Sequence, residues 1–118
     1  MIKALYKRIL KKLNLSKDQL MVLKERLASR NICKGPFLRD GKMCPNTTAL
    51  AIREGREKFQ KADEVMELLK RYHIGRTELW IFYALFDIPA MVSERFFKKA
   101  LKDMRNAVDD LIREKSGG

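Results

Sequence analysis

Cysteine, histidine and long apolar runs are scarce in this sequence, and each scarcity excludes a class of structure. Two cysteines do not make a disulfide scaffold, and with the lone His73 they are too few for a four-ligand zinc site. The most hydrophobic run, Leu79–Phe86, is far shorter than the ~18–20 apolar residues of a membrane span. No secretory signal is recognisable at the N-terminus, so we expect a cytoplasmic protein without a membrane span.

Recognisable catalytic patterns are also missing. No Ser/His/Asp or Cys/His arrangement can be assigned, and Asp63, Glu64 and Glu67 cluster at a helix start, where negative charge stabilises the helix. The sequence therefore predicts a protein that is not an enzyme and that holds no cofactor or metal.

Acidic residues are outnumbered, with 15 against 26 lysines and arginines, which gives a formal net charge of +11. The excess is uneven, because residues 1–30 carry 9 basic and 2 acidic side chains. Such an imbalance favours a polyanionic partner: nucleic acid, an anionic membrane surface or an acidic protein. The alternative is a solvated basic surface that keeps the protein soluble.

Apolar periodicity predicts an all-α protein: a compact bundle of five to six helices with one irregular loop or small β-hairpin at about 32–46. We expect a single helical domain over residues 1–115 and a flexible tail at 116–118. Residues 1–14 have a helical apolar stripe, and Ser16 with Gln19 has the spacing of a capping box for a helix ending near Ser29.

The loop contains a two-residue hairpin signal, Asp40-Gly41, which would set Phe37 opposite Cys44. Cys33 and Cys44 then form a disulfide if the turn brings them close, or remain as two semi-buried thiols. The polar triplet 46–48 after Pro45 is predicted to cap a third helix.

Residues 63–104 are predicted to form three consecutive helices with the middle one buried. The first ends at Gly75 as a left-handed cap, Thr77 caps the buried helix over Leu79–Phe86, and Pro89 ends it. A buried strand is the alternative for that apolar run on periodicity alone.

Ser93 is predicted to cap the last helix, with Val92 and Phe97 at the positions of a hydrophobic staple. The apolar stripe of this helix steps by four and three residues, which suits either a dimer seam or packing within its own bundle. The stripe residues are Phe97, Leu101, Met104, Val108 and Leu111.

The same region has a weak helix-turn-helix outline: helix 77–86, an expanded joint at 87–92 and a helix from 93 to 114. We therefore predict a small basic nucleic-acid-binding protein, in the manner of a helix-turn-helix regulator, that binds DNA or RNA mainly through phosphate contacts. The candidate binding residues are Lys3, Lys7, Arg8, Lys11, Lys12, Arg95, Lys98, Lys99 and Lys102. The alternative is a non-enzymatic protein–protein interaction module or small subunit of a larger assembly, with a homodimer or protein partner bound through the last helix.

Overall fold

Helices account for most of the chain, as the sequence predicts, and a small hairpin lies between the second and third. The computed structural model describes residues 1–28 and 32–117. The elements in chain order are α1 (Ile2–Leu13), α2 (Lys17–Leu27), β1 (Leu38–Arg39), β2 (Lys42–Met43), α3 (Pro45–Arg53), α4 (Ala62–Arg71), α5 (Arg76–Phe82), a π-helical turn (Tyr83–Asp87), α6 (Ile88–Val92) and α7 (Glu94–Ser116). The predicted all-α bundle with a β-hairpin is confirmed.

The start of α2 is the capping box that the sequence predicts. The Gln19 backbone N–H donates to the Ser16 hydroxyl at 3.1 Å, and the Ser16 N–H donates to the Gln19 side chain at 2.9 Å. Asn14 in the left-handed conformation ends α1 and turns the chain into this cap. The helix ends at Leu27, and the predicted end near Ser29 lies outside the described residues.

The hairpin forms at the predicted turn. Asp40 and Gly41 both have positive φ, 53° and 75°, as a tight two-residue turn requires. Leu38 pairs with Met43, and the Cys44 N–H donates to the Phe37 carbonyl at 2.8 Å, so Phe37 is opposite Cys44 as expected.

The cap of α3 differs from the prediction. Asn46, Thr47 and Thr48 do not cap the helix, because Pro45 already occupies its first turn and Cys44 precedes it in extended conformation. The Cys44 thiol accepts the Thr47 N–H at 3.4 Å and so acts as the cap. Cys33 and Cys44 are both free and buried, which fits the two-thiol interpretation rather than the disulfide.

The predicted left-handed cap at Gly75 is wrong, because the chain turns two residues earlier. His73 takes the left-handed conformation with φ 62°, whereas Gly75 is extended and precedes α5. The Ile74 N–H donates to the Leu69 carbonyl and the His73 N–H to the Lys70 carbonyl, both at 3.0 Å, which is a Schellman motif. The burial of Ile74 stabilises this turn, so the left-handed position is occupied by His73 and not by a glycine.

The middle helix is longer and more exposed than predicted. Thr77 is not its cap, because α5 begins at Arg76 after Gly75. Pro89 does not end it either: the π-helical turn carries the helix on into α6. Proline has no backbone N–H, and its ring crowds the carbonyl groups of the preceding turn. The wider π turn relieves that crowding. The helical path therefore continues to Val92.

One face of this helix lies on the surface, so the prediction that it is wholly buried is wrong. Phe82 and Phe86 face the core, but Trp80 is 68% exposed and Val92 83% exposed. The other exposed large apolar side chains of this face are Ile81, Ile88 and Met91. The apolar run thus supplies one inward side and one outward side, although its residue types are the same on both.

A chain of aromatic rings joins the helices in the core. The ring centroids of Tyr6 and Phe82 are 6.1 Å apart, those of Phe82 and Phe86 5.3 Å, and those of Phe86 and Phe97 6.0 Å. The Tyr6 hydroxyl donates to the Pro45 carbonyl at 2.8 Å, so this buried phenol keeps a partner. The rings link α1, the middle helix and α7.

The last helix has the cap and the apolar stripe that the sequence predicts. The Ser93 hydroxyl accepts the Phe96 N–H at 3.1 Å, but the exposed Val92 makes no staple with Phe97. The stripe is buried where α7 packs on α1 and α2, so the helix uses it within its own bundle. The helix includes Ser116, the first residue of the predicted tail, and Gly118 lies outside the described residues. In the described ranges, no helix is long and apolar enough to cross a membrane.

Candidate nucleic-acid interface

The basic residues of α1 are largely held by acidic residues of the same chain. Lys3 lies 3.1 Å from an Asp110 carboxylate oxygen, and Lys7 lies 3.8 Å from the same oxygen and 3.4 Å from Glu114. The hydrogen bond from Lys3 and the neighbouring positive charges keep the pKa of Asp110 below its usual value. These lysines join the start of α1 to the C-terminal half of α7.

The far end of α1 is paired with α5. Lys12 donates to Glu78 and, at 2.8 Å, to the His73 carbonyl, while Arg8 lies 3.9 Å from the other Glu78 oxygen. Lys11 is exposed and has no ion pair within residues 1–28 and 32–117. Four of the five α1 candidates therefore have an acidic partner already.

The basic residues of α7 form a different kind of surface. Arg95, Lys98, Lys99 and Lys102 are all exposed, and none makes an ion pair to another described residue. Their spacing of three, one and three residues aligns them in one stripe, about 10 Å long at 1.5 Å per residue. We call these four residues the α7 stripe. Their charges remain available to an external anion.

Arg105, which continues the same helix, does not belong to this stripe. It is half-buried, and its guanidinium donates to the Leu27 carbonyl at 3.3 Å. The stripe thus ends near Lys102. Asp110 lies eight residues further on, about 12 Å along the helix axis. The structure does not bring the α1 and α7 candidates together as one cluster.

The hairpin and the loop before it add basic residues near the start of α7 that the sequence interpretation missed. Lys34 pairs with Glu94 and lies 5.1 Å from the centroid of the Phe97 ring. The Arg39 guanidinium is 3.4 Å from the Met91 sulfur, which places β1 beside the end of α6. Lys42 on β2 is exposed. The sequence predicts the hairpin itself, but it does not predict that the hairpin lies beside α7, because that location depends on tertiary packing.

Glu94 is an acidic residue at the edge of this surface, where it pairs with Lys34. The hydrogen bond from Lys34 lowers the pKa of Glu94, so that carboxylate is ionised at neutral pH. Glu94 pairs directly with Lys34, and of the α7 stripe only Lys98 is close enough to add to the lowering of that pKa. Within the described residues, no three His, Cys, Asp or Glu side chains converge as they do around a metal ion.

Comparison with known proteins identifies no relative: no family model, curated protein or solved structure matches the chain.

Proposed function

We propose that this protein binds nucleic acid through phosphate contacts made by the α7 stripe. The observation that carries the proposal is the presence of four exposed, unpaired cations on one helix face. Phosphate contacts of this kind release condensed counterions, so they provide affinity without requiring a particular base sequence. The net charge of +11 supports the same choice, because it favours encounter with a polyanion.

The α1 candidates have a smaller role in this proposal. Lys3, Lys7, Arg8 and Lys12 would have to give up acidic partners before they contact phosphate, whereas Lys11 would not. Exchanging one ion pair for another yields little net free energy at a solvated surface. We therefore assign the principal contacts to the α7 stripe, with Arg39 and Lys42 of the hairpin as neighbouring contacts.

The helix-turn-helix form of the prediction needs revision. Its joint was placed at residues 87–92, but these residues are helical, and the break before α7 is at Ser93 alone. A recognition helix is normally carried by a short turn that sets the angle of two helices. The proposal is accordingly for a phosphate-binding face, with DNA and RNA distinguished by experiment.

Fluorescence anisotropy with duplex DNA and single-stranded RNA probes tests the proposal. We expect binding at about 50 mM salt that weakens steeply by about 200 mM, with a slope of log K against log salt of about −3 to −4 for four contacts. Absence of binding to either probe at the lower salt concentration would rule out the proposed function. The probe with the higher affinity identifies the class of nucleic acid.

A protein–protein interaction module is the second candidate, because of the exposed apolar face of α5 and α6. Five large apolar side chains are exposed on this face, which is more than the single exposed side chains that are normal on a protein surface. They are Trp80, Ile81, Ile88, Met91 and Val92. The apolar stripe of α7 cannot serve as the seam, since it is buried in the bundle. Solution mass by light scattering discriminates: a stable dimer favours this candidate, and a monomer that binds the nucleic-acid probes favours the first.

A further inference from the structure

A pocket of about 430 Å³ lies between the start of the hairpin, the start of α3 and the middle helix. Four of its eleven lining residues are aromatic: Phe37, Trp80, Phe82 and Tyr83. The rings of Trp80 and Tyr83 meet edge to face with centroids 5.8 Å apart. Volume and lining are typical of a small-molecule site, which pairs apolar walls with a few polar groups.

Two buried polar side chains line the same pocket. Asn46 and Asp87 are each 3% exposed, and the Oδ1 atom of each has no hydrogen-bond partner among the described residues. Leaving a buried acceptor unpaired costs about 1–3 kcal/mol, so such atoms are uncommon in a folded core. Both residues line the pocket, where the carboxylate of Asp87 would accept hydrogen bonds from a ligand with N–H donors.

Asp87 is the last residue of the π-helical turn and follows Phe86, and both side chains are buried. Single π turns inside α-helices occur frequently at functional sites.

The two charged residues that line the pocket differ in burial. Arg76 is exposed, whereas Asp87 is at the buried end with the Cys44 thiol, Asn46 and the Phe82 ring. Burial raises the pKa of Asp87 to about 7 and that of Cys44 to about 12, so Asp87 gains charge near neutral pH whereas Cys44 does not. A cation at the buried end would favour the ionised carboxylate, and Arg76 favours a neutral or acidic outer end.

We infer that this pocket binds a small planar aromatic molecule with a cationic N–H donor head, an amidine or an amine. The head donates to the carboxylate of Asp87, and the ring lies among Phe37, Trp80 and Tyr83. The ligand's positive charge replaces the solvation that Asp87 loses on burial, and its ring fills the aromatic cavity. This site is independent of phosphate binding by the α7 stripe.

Three isosteric probes test the inference: benzamidine, benzamide and benzoate. Benzamidine is a cation with N–H donors, benzamide is neutral with fewer donors, and benzoate has a negative charge and no N–H. We expect benzamidine to bind at pH 8 with a Kd of about 0.1–1 mM, benzamide to bind more weakly, and benzoate not to bind. Trp80 is the sole tryptophan, so its fluorescence reports occupancy, and calorimetry gives Kd.

The matched variant is Asp87→Asn, which keeps the shape and removes the charge. We expect it to weaken benzamidine at least about tenfold and benzamide less than about threefold. In the wild type, benzamidine affinity should fall about tenfold from pH 8 to pH 5 as Asp87 is protonated. The inference is overturned if benzamidine does not bind at pH 8, if benzoate binds equally well, or if the wild-type affinity is independent of pH; all three readouts use the wild type.

Discussion

Removal of the four charges of the α7 stripe should lower nucleic-acid affinity by at least about 100-fold at ~50 mM salt. The variant replaces each of the four side chains with glutamine, which keeps helix propensity and length. All four residues are exposed, so their substitution leaves the core unchanged. Anisotropy at several salt concentrations should also show a much shallower slope of log K against log salt, because only the neighbouring contacts of Arg39 and Lys42 remain.

A second set of four glutamine substitutions is the control for net charge. It changes the formal charge equally but uses exposed basic residues outside α7: Lys17, Lys58, Lys61 and Arg71. We expect the control variant to retain affinity within about threefold of the wild type, since these residues lie outside α7 and the interaction of exposed charges is screened over about 10 Å at 0.1 M salt. Equal losses in the two variants would show that overall charge, and not the α7 stripe, determines binding.

Stability should depend on pH through Asp87. The carboxyl group is 3% exposed, its Oδ1 atom has no partner among the described residues, and burial raises its pKa from 3.8 to about 7. The folded state therefore favours the protonated form, whereas the unfolded chain ionises near pH 4. The corresponding contribution to the free energy of unfolding is present below about pH 4 and is lost as pH rises through 7.

The Asp87→Asn variant isolates this contribution, because asparagine is uncharged throughout the range. We expect the variant to be more stable than the wild type by about 2–4 kcal/mol at pH 8 and nearly equal to it at pH 4. Urea denaturation at both pH values measures the difference. A difference that does not change between pH 4 and pH 8 would show that Asp87 does not titrate on burial.

Local signals along the sequence were sufficient to predict several elements. Ser16 and Gln19 form their capping box, Asp40-Gly41 makes the hairpin turn, and Ser93 caps α7. Each depends on side chains within three residues of the hydrogen bonds that they make, so tertiary contacts are not needed to recognise them.

Features that depend on distant contacts were predicted wrongly or not at all. A thiol is a weak acceptor, so Cys44 was not expected to cap α3 in place of the polar residues that follow it. His73 takes the left-handed turn because Ile74 is buried against the bundle, although Gly75 is the stronger local signal. The apolar run around Trp80 gave no indication of which side would face solvent.

In the candidate site, too, local patterns were predicted from the sequence and long-range contacts were not. Periodicity was enough to align Arg95, Lys98 and Lys102 on one face of α7. It did not indicate that Lys3 and Lys7 would meet Asp110 and Glu114, because those ion pairs join residues about a hundred positions apart in the chain. Nor did it place Asn46 and Asp87 in one pocket, since they belong to different elements.

The most direct test of the central claim is to locate the bound nucleic acid on the protein surface. Two-dimensional ¹H–¹⁵N spectra recorded during titration with the preferred probe report this residue by residue. We predict that the largest chemical-shift changes fall at residues 94–103 and at the hairpin turn, residues 39–42. The largest changes at residues 3–12, with residues 94–103 unaffected, would contradict the assignment of the phosphate contacts to α7.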